Sequence, residues 1–367
     1  MIIHVNGWQM VEPSAPLALR SWDVSTGDLA PGDAVVRVVG CGVCHTDLGF
    51  LYEGVKTKHA LPLTLGHEVA GIVEAQGGGL SHLEGKAVVV PAVLPCGECP
   101  LCRAGRGSIC PKQVFPGNDV QGGFASHLVV PGRFLCPVDE AALARAGLEL
   151  ADLSVVADAV STPYQAVRRA EVGPGDVVIC IGVGGIGAFG AQIARALGAR
   201  VIAVDVDPRR LELAQAHGAE HAVNAKGLDA KAVREAVRAF VEREHLDRTR
   251  WKIFETSGTT AGQLTAFGLL TYGSVLSVVG FTRQPVEVRL SNLMAFDAVA
   301  RGSWACDPAL YPEIIAMVLE GKINLGDFID KRPMSRIQET IDAVRRHEIA
   351  KRPILVPDFQ KEGEEAT

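Results

Sequence analysis

The sequence lacks a long apolar run, a leader-like N-terminus and an excess of positive charge. Although 48% of its 367 residues are hydrophobic, no stretch approaches the roughly 20 apolar residues of a membrane span. Residues 1–7 contain no basic stretch followed by an apolar one, as a secretory leader would. These absences predict a cytoplasmic protein that has no membrane partner.

The charge balance also limits the class of partner. The formal net charge is −6 at pH 7, which provides no general attraction for nucleic acid. We therefore expect a small-molecule ligand, and any anionic one must meet local positive charge. A chain of this length exceeds the about 250–300 residues at which single cores stop growing, so two domains are expected.

The pattern of apolar residues changes along the chain. Val-rich runs at 35–39, 69–73 and 86–90, separated by Gly and Pro, predict a mostly β region over about 34–135. Beyond Asp176, strands and helices alternate, which predicts an α/β region with a parallel sheet. The predicted elements there are a strand at 177–182, a helix at 185–197, a strand at 200–205, a helix from 208, a helix at 233–244, a strand at 252–255, a helix at 263–270 and a strand at 274–280. Beyond Gly302 the pattern is less regular, with helices predicted at 312–320 and 337–347 and a polar tail at 360–367. An α/β domain inserted between two parts of a β-rich domain accounts for this order.

A Gly-rich turn follows the first strand of the α/β region. Gly182, Gly184 and Gly187 form a Gly-x-Gly-x-x-Gly pattern that includes Gly185 and Ile186. Glycine permits the tight turn, the approach of a pyrophosphate and close helix packing, and the helix N-terminus offers free N–H groups to phosphates. Taken alone, this pattern is weak evidence for a cofactor site, because an ordinary flexible turn can have the same composition. The preceding strand, the following helix and a later acid favour a dinucleotide site.

That acid is Asp205, at the end of the next strand. A carboxylate there accepts hydrogen bonds from the adenosine ribose hydroxyls and repels a 2′-phosphate. Arg209 and Arg210 come slightly too late in the sequence to reverse that preference. The predicted cofactor is therefore NAD.

Four cysteines are crowded into one short segment: Cys96, Cys99, Cys102 and Cys110. Four thiolates on a short loop can close a tetrahedral shell around Zn²⁺, which is typical of a structural site. An iron–sulfur cluster has a similar ligand set but would need a redox role that nothing else supports. A further alternative is that the four cysteines bind no metal and simply pack in the core.

A second set of metal-binding side chains is dispersed. Cys44 lies in the run Gly-Val-Cys-His-Thr-Asp, and His67 is followed directly by Glu68. A catalytic zinc takes about three protein ligands and keeps one position open, and ligands from separate loops produce that geometry. Taken alone, His67 would more often be a structural histidine.

Together these motifs resemble those of zinc-containing medium-chain alcohol dehydrogenases, in the same order and over nearly the whole chain. The resemblance implies a Rossmann doubly wound parallel sheet (164–301) inserted in a GroES-like β-rich catalytic domain (1–163 and 302–367). It also implies a zinc lobe at about 95–111, a cleft between the domains, NAD, and one catalytic and one structural zinc per subunit. The assembly implied is a homodimer or homotetramer.

The resemblance also assigns the remaining zinc ligand. It implies that the ligand precedes the segment Ser-Thr-Pro-Tyr at 161–164, which indicates Asp158 where many members have Cys. The implied catalytic set is Cys44, His67 and Asp158, with Glu68 as an outer or exchangeable ligand. The alternative for Asp158 is a cap on the following helix.

Further roles follow from the same resemblance. Thr46 is the implied first carrier of the proton, but Gly49 stands where many members have a histidine, so the exit route beyond Thr46 is undefined. His45 is expected near the pyrophosphate or, equally, as an exposed loop histidine. Val279, Gly280 and Phe281 are expected to border the nicotinamide carboxamide.

The substrate does not follow from the residues. The chain as a whole resembles members that oxidise a ring secondary alcohol carried as a CoA thioester in anaerobic aromatic degradation. Lys56 and Lys58 lie in the implied entrance loop, where they bind CoA phosphates or form an ordinary solvated loop. Rival hypotheses are a polyol or threonine dehydrogenase and a non-catalytic dinucleotide-binding relative. The remaining cysteines are predicted as small core residues: Cys41, Cys136, Cys180 and Cys306.

Overall fold

The computed structural model describes residues 1–79 and 82–359. It divides the chain into two compact units. Among the described residues, the first unit contains Met1–Asp158, Cys306–Leu319 and 325–359, and the second contains Ala159–Ala305 and Glu320–Asn324. The predicted polar tail at 360–367 lies outside the described residues.

The strands are β1 (Ile2–Met10), β2 (Ala18–Ser25), β3 (Asp33–Gly42), β4 (Leu63–Thr64), β5 (Glu68–Gln76), β6 (Ala87–Val90), β7 (His127–Pro131), β8 (Cys136–Pro137), β9 (Val177–Ile181), β10 (Arg200–Asp205), β11 (His221–Asn224), β12 (Trp251–Glu255), β13 (Val275–Val278), β14 (Val299–Gly302), β15 (Ile329–Pro333) and β16 (Arg352–Val356).

The α-helices are α1 (His45–Tyr52), α2 (Pro100–Arg103), α3 (Glu140–Arg145), α4 (Ser161–Arg169), α5 (Gly187–Ala196), α6 (Pro208–Ala216), α7 (Ala230–Arg243), α8 (Thr260–Gly268), α9 (Ser291–Phe296), α10 (Tyr311–Leu319) and α11 (Ile337–Arg345). Short 3-10 helices span Thr26–Asp28, Gly107–Ile109, Gly132–Phe134, Leu150–Ala157, Pro308–Leu310 and Met334–Arg336.

The first unit is built on a mainly antiparallel sheet of order β15-β16-β3-β5-β6-β8, with β7 also paired to β3. The Val-rich runs predicted as strands form β3, β5 and β6, and their buried valines fill the core. A smaller sheet of order β2-β1-β4 was not predicted. In β1 the alternation of Ile3 and Val5, both buried, is the signal that identifies it.

The second unit is a parallel sheet of order β11-β10-β9-β12-β13-β14 with helices along the chain between its strands. All five residues of β9 are buried, as expected for a strand covered on both faces. The predicted α/β alternation is confirmed. The sequence did not predict the short strands β11 and β14.

Two helices of this unit begin earlier than their apolar pattern predicted. Asp229 accepts a hydrogen bond from the backbone N–H of Ala232 and so starts α7 at Ala230. Thr259 accepts one from Gly262 N–H and starts α8 at Thr260. N-terminal caps therefore set these boundaries ahead of the first buried side chains.

None of the helices in residues 1–79 and 82–359 combines the length and apolar character that a bilayer span requires.

Candidate zinc and cofactor sites

Cys44, His67 and Asp158 come together in the first unit although they are distant in sequence. Their ligand atoms lie within 4.8 Å of one another. The Asp158 Oδ2 atom is 3.6 Å from both the Cys44 Sγ and the His67 Nε2 atoms. Cys44 and His67 are buried, whereas Asp158 is partly exposed. A thiolate, an imidazole and a carboxylate are all good zinc ligands, and three of them leave one position for a substrate.

Elements of the main sheet position these three side chains. Cys44 follows β3 and precedes α1, His67 directly precedes β5, and Asp158 directly follows the 3-10 helix Leu150–Ala157. The N-cap of α4 is Val160, whose side chain makes no capping hydrogen bond. Asp158 faces Cys44 and His67.

Asp47 lies against the buried imidazole, a contact that the sequence analysis did not predict. Its Oδ1 atom lies 3.4 Å from His67 Nδ1 and accepts a hydrogen bond from Gly66 N–H. Its Oδ2 atom accepts one from Cys44 N–H. Burial disfavours the protonated imidazole, but Asp47, Asp158 and Cys44 together outweigh it, so the pKa of His67 lies well above its usual value. A carboxylate behind a ligating histidine is a common way to fix the ring.

Glu68 is held by Arg352, a second residue that the sequence analysis missed. The guanidinium donates from Nε and Nη2 to the two Glu68 carboxylate oxygens, at 3.0 and 2.5 Å, and both side chains are buried. Arg352 Nη2 also lies 3.9 Å from Asp158 Oδ2. Burial raises the pKa of Glu68, against the effect of Arg352. Glu68 therefore lies next to the three-residue group but outside it, and an arginine within the apolar strand β16 was the available signal.

Thr46 lies beside the group, and the nearby His45 is exposed. The Thr46 Oγ1 atom is 3.6 Å from Cys44 Sγ. The His45 ring stacks on His347, with ring centroids 6.1 Å apart. At Gly49 an added Cβ would meet Val55 at an ordinary 3.5 Å. A Cβ would therefore fit at this position, which is a glycine in this chain.

The four clustered cysteines form a separate group in the first unit. The Sγ atoms of Cys96, Cys99, Cys102 and Cys110 lie within 4.8 Å of one another, and all are free thiols. Backbone N–H groups point at the sulfurs, including Cys102 N–H to Cys99 and Lys112 N–H to Cys110. A backbone hydrogen bond from Glu98 lowers the pKa of Cys96 to about 6, whereas burial raises that of Cys102 to about 12. Four sulfurs in this arrangement fit a closed zinc shell.

The glycine-rich turn lies in the second unit between β9 and α5. Gly182 has φ +85°, and a Cβ there would lie 2.7 Å from the Ser257 Cα. A Cβ on Gly187 would lie 1.9 Å from the Gly182 carbonyl oxygen. Gly184 is less constrained, with Arg210 Nη1 at 3.4 Å. Gly185 and Ile186 complete the turn into α5.

Asp205 ends β10 beside this turn and is buried. Its Oδ2 atom accepts a hydrogen bond from Val183 N–H at 2.8 Å and lies 4.0 Å from Arg210. Arg209 instead makes a 2.7 Å ion pair with Asp207. A buried acid at this point, with Arg209 paired to Asp207 and Arg210 facing the acid itself, fits a ribose carrying a free 2′-hydroxyl.

The remaining predicted residues are placed as follows. Val279 and Gly280 follow β13, where their N–H groups donate to the Glu255 carbonyl oxygen, and Phe281 is exposed. Lys58 makes a 2.8 Å ion pair with Asp119, and Lys56 is exposed.

The prediction of core cysteines is confirmed, since all four are buried: Cys41, Cys136, Cys180 and Cys306.

Two family models match the chain. An alcohol dehydrogenase GroES-like domain matches residues 30–140, and a zinc-binding dehydrogenase domain matches residues 185–320. An alcohol dehydrogenase of Geobacillus stearothermophilus is 27% identical over 94% of this chain and 97% of its own length. L-galactonate-5-dehydrogenase of Escherichia coli is 28% identical over 88% of this chain and 92% of its own.

Solved structures agree in fold. The alcohol dehydrogenase of Aeropyrum pernix matches with a TM-score of 0.85 and 28% identity, covering 96% of this chain and 100% of its own. Galactitol-1-phosphate dehydrogenase from Escherichia coli matches with a TM-score of 0.81 and 25% identity, over 97% and 100%. The predicted fold class, a Rossmann-type parallel sheet with a GroES-like domain, is confirmed. The chain is therefore an NAD- and zinc-using oxidoreductase that belongs to the zinc-dependent medium-chain alcohol dehydrogenase family.

Proposed function

We propose that this protein oxidises a secondary alcohol to a ketone with hydride transfer to NAD, using one catalytic and one structural zinc. The proposed catalytic ligands are Cys44, His67 and Asp158, and Glu68 is the outer acid. The observation that carries this proposal is the convergence of three different ligand types within 4.8 Å. Cys96, Cys99, Cys102 and Cys110 are the proposed ligands of the structural zinc.

When bound, zinc lowers the pKa of an alcohol and NAD accepts the hydride. The chain's own residues supply position and charge. Asp47 fixes the His67 ring, and the Thr46 hydroxyl takes the substrate proton at Oγ1. In the proposed cofactor site, Gly182 to Gly187 receive the pyrophosphate and Asp205 receives the adenosine ribose. His45 is proposed as a further cofactor residue, as the family resemblance implies, and the segment 279–281 as the border of the nicotinamide.

For the substrate, we propose 6-hydroxycyclohex-1-ene-1-carbonyl-CoA, oxidised to its 6-oxo product in anaerobic aromatic (benzoyl-CoA) degradation. Each turnover removes a hydride from the ring carbon and a proton from its hydroxyl, which leaves a ketone, NADH and H⁺. The support is the overall resemblance of the chain and the exposed Lys56 for CoA phosphates. Because Lys58 is paired with Asp119, it is expected to contribute less than Lys56.

A polyol is the second candidate substrate. Relatives matching most of the chain include L-galactonate-5-dehydrogenase and galactitol 1-phosphate 5-dehydrogenase of Escherichia coli, each 28% identical. Both names denote oxidation of a secondary carbinol, so the same chemistry serves either candidate.

The deciding experiment compares kcat/KM by NADH absorbance for the CoA thioester, the free ring alcohol, L-galactonate and galactitol 1-phosphate. If the CoA thioester is the substrate, its kcat/KM should exceed that of the free ring alcohol. Lys56→Ala should raise the KM for the thioester roughly 1.4- to fivefold, since exposed charge pairs contribute about 0.2–1 kcal/mol. Lys231→Ala, which removes another exposed lysine, is the matched control. Equal kcat/KM for thioester and free alcohol, or a preference for a polyol, would exclude the CoA substrate.

The proposed assembly is a homodimer or homotetramer formed through the second unit. In the described part of the chain, β14 is the end strand of the parallel sheet. Val299 on β14 and the nearby Leu290 and Met294 are exposed. An end strand with apolar neighbours favours pairing with a second copy. Light scattering of Val299→Lys against the parent tests this, with a monomeric variant expected.

We propose that the catalytic domain comprises residues 1–163 and 302–367 and that the NAD-binding domain comprises residues 164–301. The cytoplasmic location is also a proposal.

A further inference from the structure

Tyr311 is a fully buried tyrosine of the first unit that the proposed reaction does not use. It opens α10, and its hydroxyl group donates a hydrogen bond to the Ala157 carbonyl oxygen. The same hydroxyl oxygen accepts a hydrogen bond from Ala92 N–H at 3.4 Å. The hydroxyl group is therefore satisfied both as a donor and as an acceptor, as a buried phenol requires.

The Ala157 carbonyl group is the last of the 3-10 helix Leu150–Ala157. Carbonyl groups in the last turn of a helix have no partner within the helix, so their hydrogen bonds come from outside it. Tyr311 and Ala92 both donate to this carbonyl oxygen, with the Ala92 nitrogen at 3.3 Å. Because a peptide unit is planar, a fixed Ala157 carbonyl group also fixes the Cα atom of Asp158.

Other contacts hold the beginning of this 3-10 helix. The Asp152 Oδ2 atom accepts a hydrogen bond from Glu149 N–H at 2.8 Å. A Cβ on Gly40 of β3 would lie only 2.9 Å from the Ala151 Cα atom, so the helix packs directly on the main sheet. These contacts lie at the end of the helix that is remote from the proposed zinc ligand. The hydrogen bond from Tyr311 acts at the end that carries the ligand.

The position of the backbone matters here because Asp158 has a short side chain. Its Oδ2 atom lies 3.6 Å from both the Cys44 Sγ and the His67 Nε2 atoms. A zinc–oxygen bond measures about 2.0–2.2 Å, and zinc sites tolerate departures of only about 0.2 Å. A short carboxylate side chain has few torsions with which to compensate for a displaced backbone. The hydrogen bond from Tyr311 to Ala157 therefore affects where the Asp158 carboxylate lies.

We propose that Tyr311 is a positioning residue that holds Asp158 in place for the catalytic zinc, through the Ala157 carbonyl group. This inference rests on the zinc ligands proposed above. Loss of the hydroxyl group frees the end of the 3-10 helix and displaces the carboxylate. The consequence is weaker zinc binding by the group of Cys44, His67 and Asp158, in addition to any loss of fold stability.

The test measures the Kd of the zinc held by this group, by competition between the zinc-loaded protein and a chromogenic chelator. Cys44→Ser, which lacks this zinc, gives the signal of the cysteine lobe for subtraction. Tyr311→Phe removes only the hydroxyl group, so the Kd should rise about 2- to 13-fold, the effect of losing one hydrogen bond. With Co²⁺ in place of this zinc, the visible absorption bands should also change, because they depend on ligand geometry.

Tyr52→Phe is the matched control, because it removes a hydroxyl group that pairs with Asp342 at 2.7 Å in the same unit. Either variant can lower Tm, but only Tyr311→Phe should change the Kd for zinc. A Kd that stays at the parent value in Tyr311→Phe, or that rises equally in Tyr52→Phe, would overturn the proposal.

Asp158→Ala separates this role from the zinc site itself. In the absence of Asp158, Tyr311→Phe should leave the Kd for zinc unchanged, because the hydroxyl group acts through that ligand. An equal rise with and without Asp158 overturns the positioning role alone. A Kd unaffected by Asp158→Ala overturns the proposed ligand set and this inference with it.

A measurement on the parent sequence applies if Tyr311→Phe does not fold. The chain has four tyrosines, so fluorotyrosine labelling gives few ¹⁹F resonances, and Tyr→Phe changes at the other three positions assign that of Tyr311. This resonance should shift when chelation removes the zinc next to Asp158. An unmoved resonance would overturn the proposal.

Discussion

The two candidate metal groups of the first unit differ in where their side chains originate. The four cysteines of the lobe fall within 15 consecutive positions, 96–110. In the other group, Cys44 and Asp158 are 114 positions apart and meet only because β3, β5 and the 3-10 helix pack together. A closed site can be made by one loop, whereas a site with an open position needs ligands from several segments.

Their surroundings differ as well. Backbone N–H groups face the lobe sulfurs, as at Cys99 and Cys110. Buried charged side chains, Asp47, Glu68 and Arg352, surround the dispersed group. Amides stabilise thiolate charge without adding a titrating group, whereas the buried acids orient the ligands and change their basicity. The comparison therefore predicts separate consequences when each group is disrupted.

The largest effect should follow loss of a ligand in the dispersed group. Cys44→Ser or His67→Ala should lower kcat by at least about 1,000-fold, beyond the 10- to 100-fold typical of losing an outer partner. Bound zinc should fall from two to one per chain, while NAD binding by fluorescence is retained because the cofactor site belongs to the second unit. Cys136→Ser, at a buried cysteine outside both groups, is the control. A loss of NAD affinity equal to the loss of turnover would contradict this division.

Cys99→Ser should instead act on stability. A structural metal contributes to folding, so we expect a loss on the order of 3 kcal/mol, or a fall of roughly 6–12 °C in Tm. Enzyme that stays folded should retain most of its kcat per catalytic zinc. Scanning calorimetry and zinc analysis measure both quantities. A fully stable but inactive variant would mean that the two metal roles are reversed.

A smaller effect is expected at the residue that orients His67. Asp47→Asn keeps the size of the side chain but removes the charge next to His67 Nδ1. Outer partners of this kind contribute about 10- to 100-fold in metal affinity or activity. Competition with a zinc chelator should therefore extract the catalytic zinc more readily, while the lobe zinc is unaffected. Equal loss from both groups would indicate general unfolding instead.

The local part of the site could be predicted from the sequence, and the long-range part only partly. The four-cysteine lobe and the glycine-rich turn are continuous motifs, so their spacing alone indicates a structure. Asp158 followed only from the family resemblance, because its neighbours in space come from other strands. Arg352 carries one local signal, a charge within an apolar strand, but that signal does not reveal its partner. Tertiary packing, which brings Arg352 to Glu68, supplies that information.

The last prediction concerns the order in which the two groups lose zinc on acidification. A ligand must release its proton to bind metal, so protons compete with zinc below the pKa of each ligand. At the dispersed group, Asp47 and Asp158 hold the pKa of His67 well above its usual value, so protonation competes already near neutral pH. In the lobe the pKa of Cys96 is about 6, so this thiolate is lost only as the pH falls through that value. Cys102, with a pKa of about 12, must also release a proton to zinc throughout this range, so near neutral pH it weakens zinc binding to the lobe by the same factor per pH unit as His67 weakens the dispersed group. The order of release is then set by the number of ligands, four in the lobe and three in the dispersed group. Cys99→Ser isolates the dispersed group and Cys44→Ser isolates the lobe, so zinc content after dialysis at graded pH reports each group alone. Zinc should leave the dispersed group at the higher pH, and the opposite order would show that three ligands with a raised pKa at His67 hold the metal as firmly as the four thiolates do.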